Sequence, residues 1–223
     1  MELSAAATTG ALTGDQIRRK IDTGEFQIRP LLDPSQVTET GIDFRLGYDF
    51  LVGIQGREPY INTSLNSDEQ QRNVHQFFQA TRRQLGETFI LHPHQTVLAV
   101  TLEYVKIPSD LFLMLYLRSS YSRLGLTVST IAQPGYCGCI SLEMTNPNHT
   151  PLNLTIGARI LQAVMLKVSN PSNYFHSPRK YLCHVRPEPS AAALDTDLEI
   201  LNTVWKTTNH YNERNDEQEE FYI

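Results

Sequence analysis

Apolar and polar positions change texture several times along the chain. Residues 1 to 13 are small and polar with no apolar period, which predicts a flexible lead-in. From Thr13-Gly-Asp15 onward, Ile17 and Ile21 recur four residues apart within GDQIRRKIDTGEF. That spacing predicts a short helix with Asp15 as N-cap and Gly24 as the stop. FQIRPLL follows as a strand that Pro30 ends or confines to an edge. In GIDFRLG, Ile42, Phe44 and Leu46 alternate with polar residues, the pattern of a strand buried on one face. Residues 56 to 82 are polar and rich in Asn, Gln and Ser, with Val74, Phe77 and Phe78 as the only apolar cluster. They predict a surface excursion carrying a turn or so of helix.

From Phe89 the runs become β-rich: FILHPHQTVLAVTLEYVKIP, LFLMLYL, LGLTVSTIA, CGCISLEMTN, LNLTI and ILQAVMLKV. Pro93, Pro108, Pro134-Gly135, Asn146-Pro147, Gly157 and Asn170-Pro171 punctuate them. Short strands with turn residues at close spacing predict a mainly β chain, a barrel or jelly roll to which the front helix is an addition. After Pro189 come PSAAA, a weakly helical LDTDLEILNTVW and an acidic end, DEQEEFYI. The expected organisation is a flexible stretch 1–13, a β domain 14–189, and a partly disordered extension 190–223.

Composition narrows the function classes. The chain has 223 residues, of which 40% are hydrophobic and 9% aromatic, as in a folded globule with one core. Nineteen basic against 24 acidic residues give a net charge of −5. A dedicated nucleic-acid binder usually carries a net basic face, so none is expected here. A small anionic ligand needs only a few local arginines and stays open. No apolar run approaches the roughly 20 residues of a membrane span, and MELSAAATTGALTG lacks the basic start and apolar centre of a signal peptide. A cytoplasmic location is expected. Cys137, Cys139 and Cys183 are odd in number, and Cys137-Gly-Cys139 is too tight for zinc-ligand spacing. They are expected to be small buried hydrophobes, and no histidine falls into a zinc-enzyme motif.

Three polar groups could carry chemistry. Leu117-Arg-Ser-Ser-Tyr-Ser-Arg123-Leu-Gly125 follows directly on the apolar LFLMLYL and offers guanidinium forks and hydroxyls to phosphate oxygens. Its plain alternative is a solvated turn. In ISLEM, period 2 sets Glu143 on the face of Ser141 and opposite Leu142. Such a carboxylate is either on the wet face or an acid/base whose pKa burial would raise. Tyr174, Lys180, Tyr181 and His184 lie past the last strong strand, as a lid or as a solvated tail.

Taken together, FILHPHQTVLAVTLEYVKIPSDL, RSSYSRLGLTV and PGYCGCISLEMTN resemble the deoxycytidine triphosphate (dCTP) deaminases of the trimeric dUTPase superfamily. GDQIRRKIDTGEFQI and GIDFRLG are similar to that family's N-terminal helix and first strand, and the resemblance runs collinearly over roughly residues 14 to 186. It implies a distorted β-barrel or jelly roll of the dUTPase-like type, assembled as a homotrimer with sites between subunits. It further implies deamination of dCTP to dUTP and ammonia with no protein-bound catalytic metal, magnesium riding on the triphosphate. By matching position, Arg118, Ser119, Ser120, Tyr121, Ser122 and Arg123 would hold the phosphates, with Ser119 and Arg123 also close to the reacting base. Glu143 would take a proton from the water that attacks C4 and pass protons to the ring nitrogen and the departing ammonia. Ser141 and Leu142 would lie against the pyrimidine or sugar, and Tyr174 and Lys180 would close over the nucleotide. dUTP or dTTP would enter as product or inhibitor.

Departures from that pattern bear on activity. Between Thr127 and Pro134 the chain reads VSTIAQ, a few residues short. Ala132 matches an alanine lining the cytosine pocket, while Gln133 stands where an aspartate is common. In dUTPases that aspartate orients the attacking water, so its replacement argues against a dUTP diphosphatase. His184 stands where a nucleotide-contacting glutamine is frequent. A deaminase is the leading reading, a non-catalytic deoxynucleotide-binding protein of the same fold the alternative, and a diphosphatase the least favoured.

Overall fold

The structure is a computed structural model that describes residues 10–56, 59–61, 74–128, 130–172, 174, 179–192, 197 and 199–206. Within the stretch expected to be flexible, Gly10–Ala11 form a short strand (β1) antiparallel to Leu166 and Lys167. Helix α1 spans Gly14–Asp22. Thr13, rather than Asp15, is its N-cap: the hydroxyl accepts from the Gln16 N–H at 3.4 Å and the Gln16 side chain accepts from the Thr13 N–H at 2.9 Å. This reciprocal box satisfies two otherwise orphaned donors. Asp15 instead sits in the first turn and pairs with Arg18 at 3.1 Å. Gly24 closes the helix with φ +75°.

The strands that follow are β2 (Gln27–Arg29), β3 (Ile42–Gly53), β4 (Phe78–Arg82), β5 (Thr88–Leu91), β6 (Thr96–Lys106) and β7 (Leu111–Leu117). A short helix α2 (Ser119–Ser122) leads to β8 (Thr130–Ala132), β9 (Cys137–Thr145), β10 (Leu152–Thr155) and β11 (Arg159–Lys167). The chain is mainly β, as expected. Nine strands join in one curled sheet running β2-β6-β3-β11-β7-β8, with β1 on β11, β4 on β3 and β9 on β6; β5 and β10 form a separate pair. The curl comes from β3, whose first residues, 42–45, pair with β11 while residues 50–52 pair with β6. Leu46, Phe50, Leu113, Leu115 and Leu142 fill the space between, and the Phe50 and Phe89 rings stack at 4.2 Å. Each such fully buried side chain contributes about 1.5–3 kcal/mol.

Several expectations need correction. The 56–82 excursion ends in β4, an edge strand whose FQATR side chains are half-buried to exposed and which is held by its backbone ladder to β3 and by Arg82, paired with Asp49 and lying over the Tyr48 ring. The long apolar run after Phe89 breaks into β5 and β6, and LGLTVSTIA contributes the three-residue β8 and a bridge from Thr127 to Thr145. Cys137 and Cys139 are buried, but Cys183 is exposed. β3 is covered on both sides at its start, so Asp43 is buried as well as Phe44. In the second compact unit, residues 57–76 and 190–223, residues 199–206 are helical, ending one residue past the stretch 194–205 expected to be so. Residues 1–9 and 207–223 lie outside the described residues.

Candidate active site

Strand β9 carries the candidate acid/base. Ile140, Leu142 and Met144 point into the core, while Ser141 is half-buried and Glu143 exposed on the opposite face, in register with Val100 and Leu98 of β6. Although the side chain reaches solvent, protein crowds its carboxyl, and the water so displaced raises the Glu143 pKa above the ordinary range.

The serine–arginine loop is tied to the same end of β9. β7 ends at Leu117, and the Arg118 N–H donates to the Ile160 carbonyl at 2.8 Å. Arg118 then turns extended and caps α2. Gly125, at φ +80°, lets the loop close against the Asn148 amide, whose Nδ2 donates to the Leu124 carbonyl at 2.7 Å. A Cβ at Gly125 would collide with that amide. Thr127 and Thr145 exchange backbone hydrogen bonds of 3.0 and 3.1 Å, which fixes the loop two residues beyond Glu143. Buried Asn146 anchors this corner by donating to the Leu91 and Thr150 carbonyls at 3.0 and 2.9 Å.

Within the loop, Ser119, Ser120, Ser122 and Arg123 are exposed and Tyr121 packs against the core. The Arg123 guanidinium has no hydrogen bond or ion pair among the described residues. Arg118 differs: its Nε lies 3.5 Å from Asp43 Oδ2 and its NH1 donates to the Arg159 carbonyl at 3.3 Å.

The remaining candidates gather at the other end of β9. Ala132 is buried opposite Leu113, and the exposed Gln133 accepts the Tyr136 N–H at 3.0 Å to close the Pro134-Gly135 turn. Tyr174 is buried on that turn, edge-on to Tyr136 at 5.7 Å, and its hydroxyl donates to the Tyr181 carbonyl at 3.3 Å. The Arg179 guanidinium lies 4.7 Å over its ring. Cys183 and His184 then run beside β9, with the Cys183 N–H donating to the Cys137 carbonyl at 3.0 Å and the Cys139 N–H to the His184 carbonyl at 2.8 Å. Lys180 and His184 are half-buried, and His184 Nδ1 is 3.3 Å from Glu188. Tyr174 and residues 179–184 are therefore seated on the fold rather than forming a solvated tail. The residues from Cys137 to Glu143 span roughly 20 Å of extended strand, which keeps this group apart from the Glu143 corner within one chain.

A buried polar network went unread in the sequence. Glu103 accepts from the Arg45 N–H at 2.9 Å and from Gln36 Nε2 at 3.0 Å, with the Arg45 Nε at 4.0 Å. Burial nevertheless pushes its pKa up to about 7. Asp43 holds Arg118 and Arg159 at 3.5 and 3.6 Å, and burial, opposed by those guanidinium groups, raises its pKa. Nothing in GIDFRLG or TLEYVK marks these carboxylates, because their burial comes from strands distant in sequence. Among the described residues, no three His, Cys, Asp or Glu side chains cluster to hold a metal. A cavity of about 430 Å³ lined by Asp49, Phe50, Arg82, Arg186 and Glu188 includes none of the candidate residues. No helix among the described residues is long and apolar enough to cross a membrane.

The fold defines the class. It is similar to the crystal structure of 2'-deoxycytidine 5'-triphosphate deaminase from Agrobacterium tumefaciens, with a TM-score of 0.55 at 20% identity over 72% of this chain and 49% of that one. The chain thus spans about half the length of that protein. The chain belongs to the dCTP deaminase-like family, whose model matches residues 11–168. It is 35% identical to a Methanobrevibacter smithii protein named "dCTP deaminase, dUMP-forming", over 84% of this chain and 97% of the relative. It is also 37% identical to the dCTP deaminase of Natronomonas pharaonis, over 72% and 82% of the two chains.

Proposed function

We propose that the protein deaminates dCTP, with Glu143 as the acid/base. The observation that carries this reading is a single carboxylate, its pKa raised by partial desolvation, tied through Thr127 and Thr145 to a loop rich in phosphate-binding groups. A raised pKa suits a group that must both accept and release a proton near neutrality. Glu143 takes a proton from water as the oxygen bonds to C4 of the cytosine ring, and delivers it to the ring nitrogen. A second transfer moves the hydroxyl proton to the exocyclic amine. The C4–N bond then breaks, ammonia leaves, and the C4 carbonyl of uracil remains. Ser119 and Arg123 assist at the base; Arg118 and the Ser119–Ser122 hydroxyls hold the triphosphate, on which magnesium is carried.

The same reading calls for more than one copy of the chain. The Glu143 corner and the Ala132–Gln133–Tyr174–Lys180–His184 group lie at opposite ends of β9, so one nucleotide reaches both only if neighbouring protomers each supply one. The outer face of β7 and its neighbours fits such an assembly. Phe112, Met114 and Tyr116 face outward beside Leu166, Val164 and Ile131, an apolar surface at a position where a monomer would carry polar residues. The assembly we propose is a homotrimer with sites between subunits, as the family resemblance implies.

A second reading concerns the product. Relatives from Methanobrevibacter smithii and Dictyoglomus thermophilum are named dUMP-forming, which favours hydrolysis after deamination; Gln133, in place of a water-orienting carboxylate, favours release of dUTP. Incubation with dCTP and magnesium, following ammonia and pyrophosphate separately, decides. Ammonia alone means dUTP, ammonia with pyrophosphate means dUMP, and tight binding with neither product would replace the enzyme with a silent nucleotide binder.

A further inference from the structure

Asp43 has no assigned role, yet its surroundings are unusual for a structural carboxylate. It lies 2% exposed near the start of β3, opposite Gln162 of β11, and beneath the point where β7 becomes the serine–arginine loop. Its Oδ2 faces two guanidinium groups, Arg118 at 3.5 Å and Arg159 at 3.6 Å. Its Oδ1 is buried with no hydrogen-bond partner. A carboxylate kept only for stability would have both oxygens satisfied, since leaving a buried acceptor unpaired is costly. Arg159 is already held elsewhere, donating to the Ser35 carbonyl and hydroxyl at 3.2 and 3.1 Å. Arg118 is held more lightly, its NH1 donating only to the Arg159 carbonyl among the described residues, and its side chain is 39% exposed. Its Nε lies at ion-pair distance from Asp43, and its NH2 makes no hydrogen bond among the described residues.

We infer that Asp43 is a positioning residue: it holds the inner edge of the Arg118 guanidinium so that the outer edge meets an oxyanion of the nucleotide phosphates bidentately. This rests on the reading that Arg118 binds the triphosphate. A guanidinium suits such a bridge because its planar fork presents donors to two anions at once, whereas an ammonium is a single point charge.

The test is a double-mutant cycle on dCTP turnover, read as KM and kcat with a thermal melt of each variant. Asp43→Asn is expected to raise KM about tenfold or more with kcat within threefold, because binding common to ground and transition states is lost. In an Arg118→Ala background the same change should add less than twofold. Arg159→Gln, which removes the other partner of Asp43, should leave KM within threefold even if it lowers the melting temperature. Should Asp43→Asn fail to fold, Arg118→Lys carries the test: KM should rise nearly as far as in Arg118→Ala, since an ammonium cannot bridge. Unchanged KM in Arg118→Ala overturns the phosphate reading itself. A KM that rises in Arg118→Ala but not in Asp43→Asn, additive effects in the cycle, or full affinity in Arg118→Lys overturns the positioning role alone.

Discussion

Arg118 and Arg123 belong to one motif, yet their surroundings give them different tasks. Arg123 is exposed and its side chain makes no hydrogen bond or ion pair among the described residues, so its removal should cost the fold almost nothing. Surface substitutions of this kind change stability by about 0.5 kcal/mol or less, a shift of about 2 °C in Tm for a chain of this length. Arg123→Ala should therefore melt like the parent while raising the KM for dCTP at least tenfold; a lower Tm with unchanged KM would make Arg123 structural. Arg118→Ala should lose both, because Asp43 is left with Arg159 alone, at a cost of about 1–3 kcal/mol. Glu103 gives a separate pH effect. Burial raises its folded pKa to about 7, so between roughly pH 4.5 and 7 the folded state keeps a proton that the unfolded chain has lost. The stability it contributes is thus full at low pH and falls as pH rises through that window, by on the order of 3 kcal/mol at 1.36 kcal/mol per unit. Melts at pH 5 and 8 should show a steeper decline for the parent than for Glu103→Gln, and parallel declines would contradict it. At this scale the sequence was half legible. Period 2 set the face of Glu143, but Asp43, Arg45 and Glu103 read as ordinary polar positions, since the strands that bury them arrive from elsewhere in the chain.

Elements were most legible where side chains alone decide them. β7, β9 and β11 follow from runs such as LFLMLYL, in which Leu111, Leu113 and Leu115 bury one face. β4 was not legible, because an edge strand is held by backbone hydrogen bonds and its polar FQATR carries no apolar period. The segment after β11 was equally hidden: its seat is the Pro134-Gly135 turn, and Tyr174 reaches it from almost forty residues away. Gly135 makes that seat possible. Its φ of +81° suits glycine, and a Cβ there would come within 3.0 Å of Tyr174 Cβ and 3.2 Å of its backbone nitrogen. Gly135→Ala should destabilise by about 1–2 kcal/mol from the left-handed backbone alone, and should loosen Tyr174 and residues 179–184. Amide exchange localises the effect. Faster exchange at Cys183 and Cys139, with the β7–β11 ladder unchanged, is expected; uniform loss across the sheet would mean that the turn supports the core instead.

The whole molecule is larger than one chain if the candidate groups at the two ends of β9 are to meet on one nucleotide. Light scattering should give a mass three times the 25.3 kDa of the chain, and replacing Met114 and Ile131 with lysine should split the particle and abolish turnover together. A monomer that deaminates dCTP at full rate would mean that one chain completes the site unaided. What a particle of any size does at C4 still depends on one carboxylate. Glu143→Gln preserves the shape of the side chain and removes its capacity to accept a proton, so dCTP binding should persist within a few fold. Ammonia release from saturating dCTP should fall by at least about 10²–10⁴-fold, the range for a lost general acid–base. Ammonia release at near the parent rate from a pure, fully folded Glu143→Gln protein would contradict the mechanism outright.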